Sequence, residues 1–383
     1  MSSIPHKKVA WLEGQFLYPQ HFQQQERYLE HRLEQRSAAI RPFVEGFSTC
    51  LLDTSLLAKG KVALQETKGI MPDGTPFDLP KQAALPAAID IGLEVKQQLV
   101  YLVLPLYRPG SQAITRDLTK TTVRYHCQDT EVFDDHNTQT TQTLASAEPA
   151  FSLRLATDAL GGWDRLPIAR IKEVSAAGAV LLDEDYIPPM LHMSSHEQLV
   201  HYHNNLLSVL EVHSETLAAR LKAMQSAGAA LSGAAIRDEQ LLRLLSGALT
   251  RFRHWREIQG THPETFYEHL AVLLAEITAF TPARRLGRIA PYQHHAIDAS
   301  LSPLVDACQF ALKQLLEEVA ENIELKFSRK WIPISQKALN LPCWPMENLC
   351  WRYIVVAFLN KSFSKRFFTT IELLNAMCCQ VWI

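Results

Sequence analysis

Histidines and carboxylates are the residue types in this chain best suited to chemistry. Fifteen of its 383 residues are histidine. Two groups stand out: His192, His196, His201 and His203, and the adjacent pair His294 and His295. Imidazole ligates metals and titrates near neutral pH, so either group could serve a metal or hydrolytic site. A helical metal pair needs i and i+4 on one face. His192 and His196 have that spacing, but Ser194-x-x-Glu197 reads as a capping box that starts the helix between them. His201 and His203 point about 200° apart on a helix. Solvated or hydrogen-bonded histidines are the better reading. Asp134-Asp135-His136 and Asp183-Glu184-Asp185 resemble paired carboxylates, yet each sits in turn-like sequence. A general acid and base must face one another across a substrate, which adjacency in sequence does not provide. The seven cysteines contain no C-x-x-C, and no histidine pair lies at finger spacing, so a zinc signature is missing. Acyl-transfer and nucleotide-binding motifs such as G-x-S-x-G, Walker A and G-x-G-x-x-G are absent too. The expectation is a chain with no catalytic residues, no metal and no cofactor.

The elements that would position such groups are of two kinds, and they change at Tyr186-Ile187-Pro188-Pro189, where two prolines halt regular structure. Before that point, a helix from Pro19 to about Ala39 is rich in Gln, Glu and Arg and belongs on a surface. Strands follow. Leu99 to Leu106 has the length of a buried strand, and Phe151, Leu153 and Leu155 alternate with Ser152 and Arg154. Pro72-Asp73-Gly74, Pro109-Gly110 and Gly161-Gly162 are turn signals between such runs. Short strands so punctuated predict an antiparallel β-sandwich. Behind the prolines, four helical patterns follow in succession. Leu199, Tyr202, Leu206, Leu210 and Leu217 mark the first. Leu241, Leu245, Leu249, Phe252 and Trp255 mark the second, with Gly260 as its stop. The third starts near Pro263, and the fourth near Ser302-Pro303. A four-helix bundle is their natural packing.

The resulting fold class is multidomain, β plus α, with three parts. They are an N-terminal β-sandwich at 1–187, a helical bundle at 188–327 and an atypical C-terminal segment at 328–383. That last segment holds four of the seven cysteines and four of the seven tryptophans, but neither Gly nor Asp. A folded α/β domain normally needs such residues at its turns.

Composition narrows the functions. Hydrophobic content of 47% and charged content of 20% suit a globular chain. A net charge of −2 gives no footprint for nucleic acid. No apolar run long enough to span a bilayer is present, and no secretory signal opens the chain. With an odd cysteine count and no framework, the expected compartment is the cytoplasm.

The most distinctive stretch is Trp11 to Tyr28, WLEGQFLYPQHFQQQERY. It is aromatic and Gln-rich but has no group arrangement for chemistry. Arg27 and Arg32 are offset by Glu26, Glu30 and Glu34, so it lacks the positive groove of a nucleic-acid stacking platform. Its aromatics either pack on the sandwich or anchor a protein partner. The interface candidates are Trp11, Phe16, Pro19, Gln20, His21 and Phe22.

Four stretches resemble the TssK family, also called ImpJ or VasE, of bacterial type VI secretion. They are Trp11 to Tyr28; GIMPDGTPFDLP from Gly69 to Pro80; LPIARIKEV with LLDEDYIPPML from Leu166 to Leu191; and HPETFYEHL from His262 to Leu270, with Glu276, Phe280, Tyr292 and His295. The resemblance implies a homotrimeric adaptor with a fold like phage receptor-binding proteins. Its sandwich would bind the TssF–TssG wedge of the baseplate, and its bundle would drive trimerisation. A C-terminal domain would dock on the TssJ–TssL–TssM complex at the inner membrane. From about Lys326 the resemblance stops, and the expectation is a tail translated out of the ancestral frame or replaced, with docking lost. A trimeric phage-tail protein and a His/carboxylate hydrolase are the alternatives.

Overall fold

The computed structural model describes residues 6–317, except 138, 227–232 and 259. The architecture is mixed, with β-sheets in the first half and long helices in the second. Up to Thr216 and again from Gln240, the described residues belong to one compact unit, whereas Leu217–Glu239 belongs to a second. Within the second, the Arg220 Nε donates to Asp238 at 2.6 Å.

After helix α1 (Pro19–Ile40), strands β1 (Gly46–Leu52), β3 (Leu64–Ile70) and β4 (Pro76–Leu79) form an antiparallel sheet in the order β1-β3-β4. The short helix α2 (Thr54–Leu57) follows β1, and β2 (Lys61–Val62) pairs with β5 (Ile89–Asp90). A second antiparallel sheet contains β6 (Gln98–Pro105), β10 (Ser152–Leu155), β11 (Trp163–Val174) and β12 (Val180–Leu182), in the order β10-β6-β11-β12. Strand β6 lies inside that sheet, which explains its continuous apolar run: Leu102 faces Leu153 on one side and Leu166 on the other. All three are buried. Strands β7 (Ile114–Thr115), β8 (Tyr125–Phe133) and β9 (Thr141–Pro149) make a third, largely exposed ribbon. An aromatic chain joins the first two sheets, with Phe77 5.9 Å from Phe47 and 5.4 Å from Phe151 between ring centroids.

The turn at Pro72-Asp73-Gly74 forms as expected. Gly74 sits at φ +85° and donates its amide to Met71 at 2.9 Å, a backbone conformation that glycine adopts without strain.

The two prolines at 188–189 end the strands but not the β hydrogen bonding. The Phe47 amide donates to Pro189 O at 2.7 Å, and the Leu191 amide donates to Phe47 O at 2.8 Å. Proline lacks a donor yet keeps its carbonyl, so an extended segment can border β1 here. Gly46 makes the close approach possible. Its φ is +134°, and a Cβ there would lie 2.6 Å from Pro189 O.

Helices α3 (Glu197–Ser226), α4 (Gly233–Ile258), α5 (Pro263–Thr278) and α6 (Ile297–Glu317) follow. Leu199, Leu206, Leu210, Leu245, Phe252, Phe266, Leu270 and Leu304 are buried at the predicted spacing. His203 Nε2 donates to Phe252 O at 2.8 Å, tying α3 to α4. Cys308 Sγ meets Leu270 O at 3.6 Å, tying α6 to α5.

Two expectations need correcting. Helix α3 starts at Glu197, later than a helix running on directly from Ser194 would. A 3-10 turn covers Met193–Ser195, and His196 precedes the helix, its Nδ1 accepting from the Gln198 amide at 3.3 Å. Helix α6 starts at Ile297, and Pro303 lies inside it. Ile297, Leu301 and Leu304 are all buried; that apolar face at i, i+4 and i+7 carries the helix through Pro303, which has no amide to donate within it.

Candidate functional site

The segment from Trp11 to Phe22 is ordered locally and turned outward. Leu12 to Gln15 closes a turn in which the Gln15 amide donates to Leu12 O at 3.3 Å, with Gly14 at φ +77°. The Gln15 side chain returns the contact, its Oε1 accepting from the Leu12 amide at 3.2 Å. Pro19 then opens α1 at a first-turn position, where its missing donor costs nothing. His21 fixes the entry angle: its Nδ1 accepts from the Tyr18 amide at 3.0 Å, and the Gln15 amide group meets its Nε2. The Trp11 ring leans on this corner, 6.1 Å from His21 and 6.3 Å from Phe22.

Of the six candidates, Trp11, His21 and Phe22 are therefore brought together. Phe16, Pro19 and Gln20 flank them and are exposed. The reading in which these aromatics pack on the sheets does not hold. Trp11 is half exposed and Phe16 is 81% exposed, while Leu12, Leu17 and Tyr18, which the residue-type search passed over, are exposed beside them. Six large apolar side chains, those of Trp11, Leu12, Phe16, Leu17, Tyr18 and Phe22, are thus exposed around one fixed turn. The signal for the three missed residues was present, since they interleave with the candidates.

The histidines do not converge on a site for chemistry. His262 caps α5: its Nδ1 accepts from the Glu264 amide at 3.1 Å, so Nε2 carries the proton it donates to Phe43 O at 3.1 Å. His294 donates from Nε2 to Glu45 O at 2.7 Å, while its Nδ1 accepts from the Tyr292 hydroxyl at 2.9 Å. The two rings stack at 5.1 Å. Burial, followed by the Arg41 charge, pushes His262 down to about 3; burial also lowers His294 to about 4. Both are neutral and fully satisfied, clamping residues 43–45 onto the helices. His295 faces the Glu45 carboxylate at 3.4 Å, and that contact holds Glu45 below its usual range. His192 and His196 lie outside the helix, and His203 is spent on Phe252 O. Among the described residues, no group of three His, Cys, Asp or Glu is placed to hold a metal ion.

The acidic clusters are likewise dispersed. Asp134 accepts from the amides of His136 and Asn137 within its own turn. Asp183 takes Arg170 Nη1 at 3.0 Å, and Arg170 Nη2 reaches Asp298 at 3.0 Å, so β11 is tied to the first turn of α6. A carboxylate group that local sequence could not reveal lies elsewhere. Buried Arg124 donates to Asp73 and Thr75 at 2.6 Å each and to Pro105 O at 2.7 Å. Asp164 accepts from the Asp73 amide at 2.8 Å, and burial together with the Asp73 charge raises its carboxyl to about 6. By binding Asp73, Thr75 and the Pro105 carbonyl, Arg124 becomes a pin between the β3–β4 turn and the second sheet.

With the geometry in place, comparisons supply the relatives. The family model for bacterial type VI secretion proteins EvfL, ImpJ and VasE matches residues 21–336. The chain is 35% identical over 322 residues to the type VI secretion system baseplate component TssK1 of Pseudomonas aeruginosa, across 82% of this chain and 71% of that protein. Its fold is similar to a crystal structure of TssK, with 30% identity and a TM-score of 0.74 over 80% of this chain and 69% of the other. It also shares the fold of a chain in a cryo-electron microscopy structure of the TssK-TssF-TssG baseplate subcomplex, at 21% identity and a TM-score of 0.72, over 81% of this chain and 99% of that one.

Proposed function

This chain belongs to the type VI secretion family of ImpJ and VasE, and from that premise we propose that it is a non-enzymatic structural adaptor of the baseplate. The observation that carries the proposal is the ordered, outward-facing segment Trp11 to Phe22, with Trp11, Phe16, Pro19, Gln20, His21 and Phe22 as contacts for the TssF–TssG wedge. The sheets at 1–187 act as the wedge-binding β-sandwich, and the helices at 188–327 form a four-helix bundle that holds a homotrimer in the cytoplasm. A relative solved in a TssK-TssF-TssG subcomplex supports this choice of partner.

The segment 328–383 lies outside the described residues, and the family match ends within it at residue 336. The proposal is that wedge binding is retained here, while docking on the TssJ–TssL–TssM complex at the inner membrane is not. Co-purification of the full chain with the wedge, and separately with the cytoplasmic region of TssM, tests both halves. Capture of the first and not the second is expected; failure to capture the wedge overturns the adaptor reading.

A further inference from the structure

At one end of the second sheet lies a cavity whose positive charges are unmatched. Its volume is about 520 Å³, and it is formed by the loop after β6, the loop entering β8 and the glycine turn before β11. Small-ligand sites usually occupy roughly 300–1,000 Å³. Buried Arg124 closes the floor, but its guanidinium is already occupied by Asp73, Thr75 and Pro105 O. Arg108 and Lys120 stand at the exposed rim, and no carboxylate lines the cavity. Among the described residues, neither of these two side chains makes an ion pair. Asp117, the carboxylate that feels the Lys120 charge, accepts from the Thr119 amide and hydroxyl within its own turn. Arg108 is held in position. The Ser111 amide and hydroxyl both donate to Arg108 O, at 3.2 and 2.7 Å, and its guanidinium lies against Gly162 in space that a Cβ would occupy.

Tyr107 and Trp163 form the walls. Each has a guanidinium over its ring, Arg27 at 5.8 Å and Arg154 at 4.1 Å from the centroids, and no ring among the described residues stacks on either. A neighbouring cavity of about 780 Å³ shares Gly161 and Trp163 but sets Asp158 and Asp164 against Arg165. The excess of positive charge therefore belongs to the first cavity. Two unmatched cations between two aromatic walls suit a ligand with a doubly charged head and a flat body. A phosphate monoester carries about −1.5 to −2 charges at pH 7, more than a carboxylate can. Guanidinium grips phosphate oxygens in pairs, ammonium adds a point charge, and planar rings stack on aromatic side chains. We infer that this cavity binds the phosphate monoester of a planar ring compound, the class to which mononucleotides belong. Arg108 and Lys120 hold the phosphate, and Tyr107 and Trp163 flank the ring. No phosphate-binding motif marks the site in the sequence, because its cations come from two loops and one wall from a third.

Titration calorimetry of the full chain with AMP, adenosine and inorganic phosphate tests it. AMP should bind, and Arg108→Ala and Lys120→Ala should each weaken binding by about tenfold or more, the loss of one charge-assisted hydrogen bond. Both variants should melt at the unchanged temperature, since each removes an exposed side chain without an ion pair. Adenosine and inorganic phosphate should each bind at least about tenfold more weakly than AMP, because each lacks one half of the recognised group. Added salt should weaken the AMP complex. No AMP binding at millimolar concentration overturns the inference, as does binding that both alanine variants leave unchanged. Adenosine as tight as AMP would assign the cavity to the ring alone, and phosphate as tight as AMP to a bare anion; either result overturns it. Loss of wedge capture by Arg108→Ala, with no AMP binding to the unsubstituted chain, would give the cavity to the wedge. That outcome overturns this inference and leaves the adaptor reading intact.

Discussion

Residues 11–40 and residues 41–47 adjoin in the chain and solve opposite problems. In the first stretch apolar side chains face water: Phe16, Leu33 and Ile40 are exposed, and no residue of α1 is buried. In the second, half-buried polar groups are bonded within the chain. Arg41 Nη2 donates to Thr265 at 2.9 Å, the carbonyls of Phe43 and Glu45 accept from His262 and His294, and Phe47 is fully buried. Exposed apolar surface that is held in place is a candidate interaction surface. Enclosed polar groups with complete hydrogen bonding set geometry instead. Substitutions in the two stretches should therefore separate cleanly, one set changing association and the other stability.

The largest effect on stability is expected at the end of the second stretch. Phe47→Ala removes a fully buried ring that packs on Phe77 within the first sheet, and should cost about 3–5 kcal/mol in chemical denaturation. A loss below about 1 kcal/mol would show that this ring is not part of the core. His294→Ala strips the partner from the Glu45 carbonyl and the Tyr292 hydroxyl, for about 1–3 kcal/mol.

Acid should find the same weakness. His262 and His294 titrate in the fold at about 3 and about 4, against about 6.5 in an unfolded chain. The unfolded state thus binds protons that the folded state refuses. Their stabilisation is complete above about pH 6.5 and is lost as pH falls towards those folded values, by up to about 1.4 kcal/mol per pH unit for each. Asp164, raised to about 6, works in the opposite sense over about pH 4 to 6. The histidine contribution is accordingly read as a difference. Between pH 7.5 and 5.5 the unsubstituted chain should lose more stability than His294→Gln, and parallel profiles would count against the clamp. The smallest effect belongs to the first stretch, where Leu29→Ser and Leu33→Ser should each change stability by no more than about 0.5 kcal/mol. A loss of several kcal/mol would mean that α1 packs its apolar side on its own protein.

Much of this contrast was legible locally. Pro19 marked the start of α1, and its polar composition placed it on a surface. The apolar run at Leu99 to Leu106 gave an internal strand, and Pro263 marked α5. What local pattern could not show was pairing at a distance. His262 and His294 meet across more than thirty residues, and Arg124 collects Asp73 and Thr75 from a turn far upstream; neither leaves a periodic trace. The start of α6 was misplaced because Pro303 resembles a first-turn proline, while the buried Ile297 and Leu301 carry the helix back past it. The aromatic segment was recognised, but whether it faced the sheets or solvent depended on what else covered them.

The central claim is that Trp11 to Phe22 is a partner-facing surface. Its most direct test is the affinity of the chain carrying Trp11→Ala and Phe16→Ala for a purified TssF–TssG wedge, with thermal melting followed on the same samples. Truncating an aromatic anchor typically costs about 2 kcal/mol or more, so a Kd raised at least thirtyfold is expected, with an unchanged melting temperature. Unchanged affinity, or affinity lost only together with a lower melting temperature, would contradict the account.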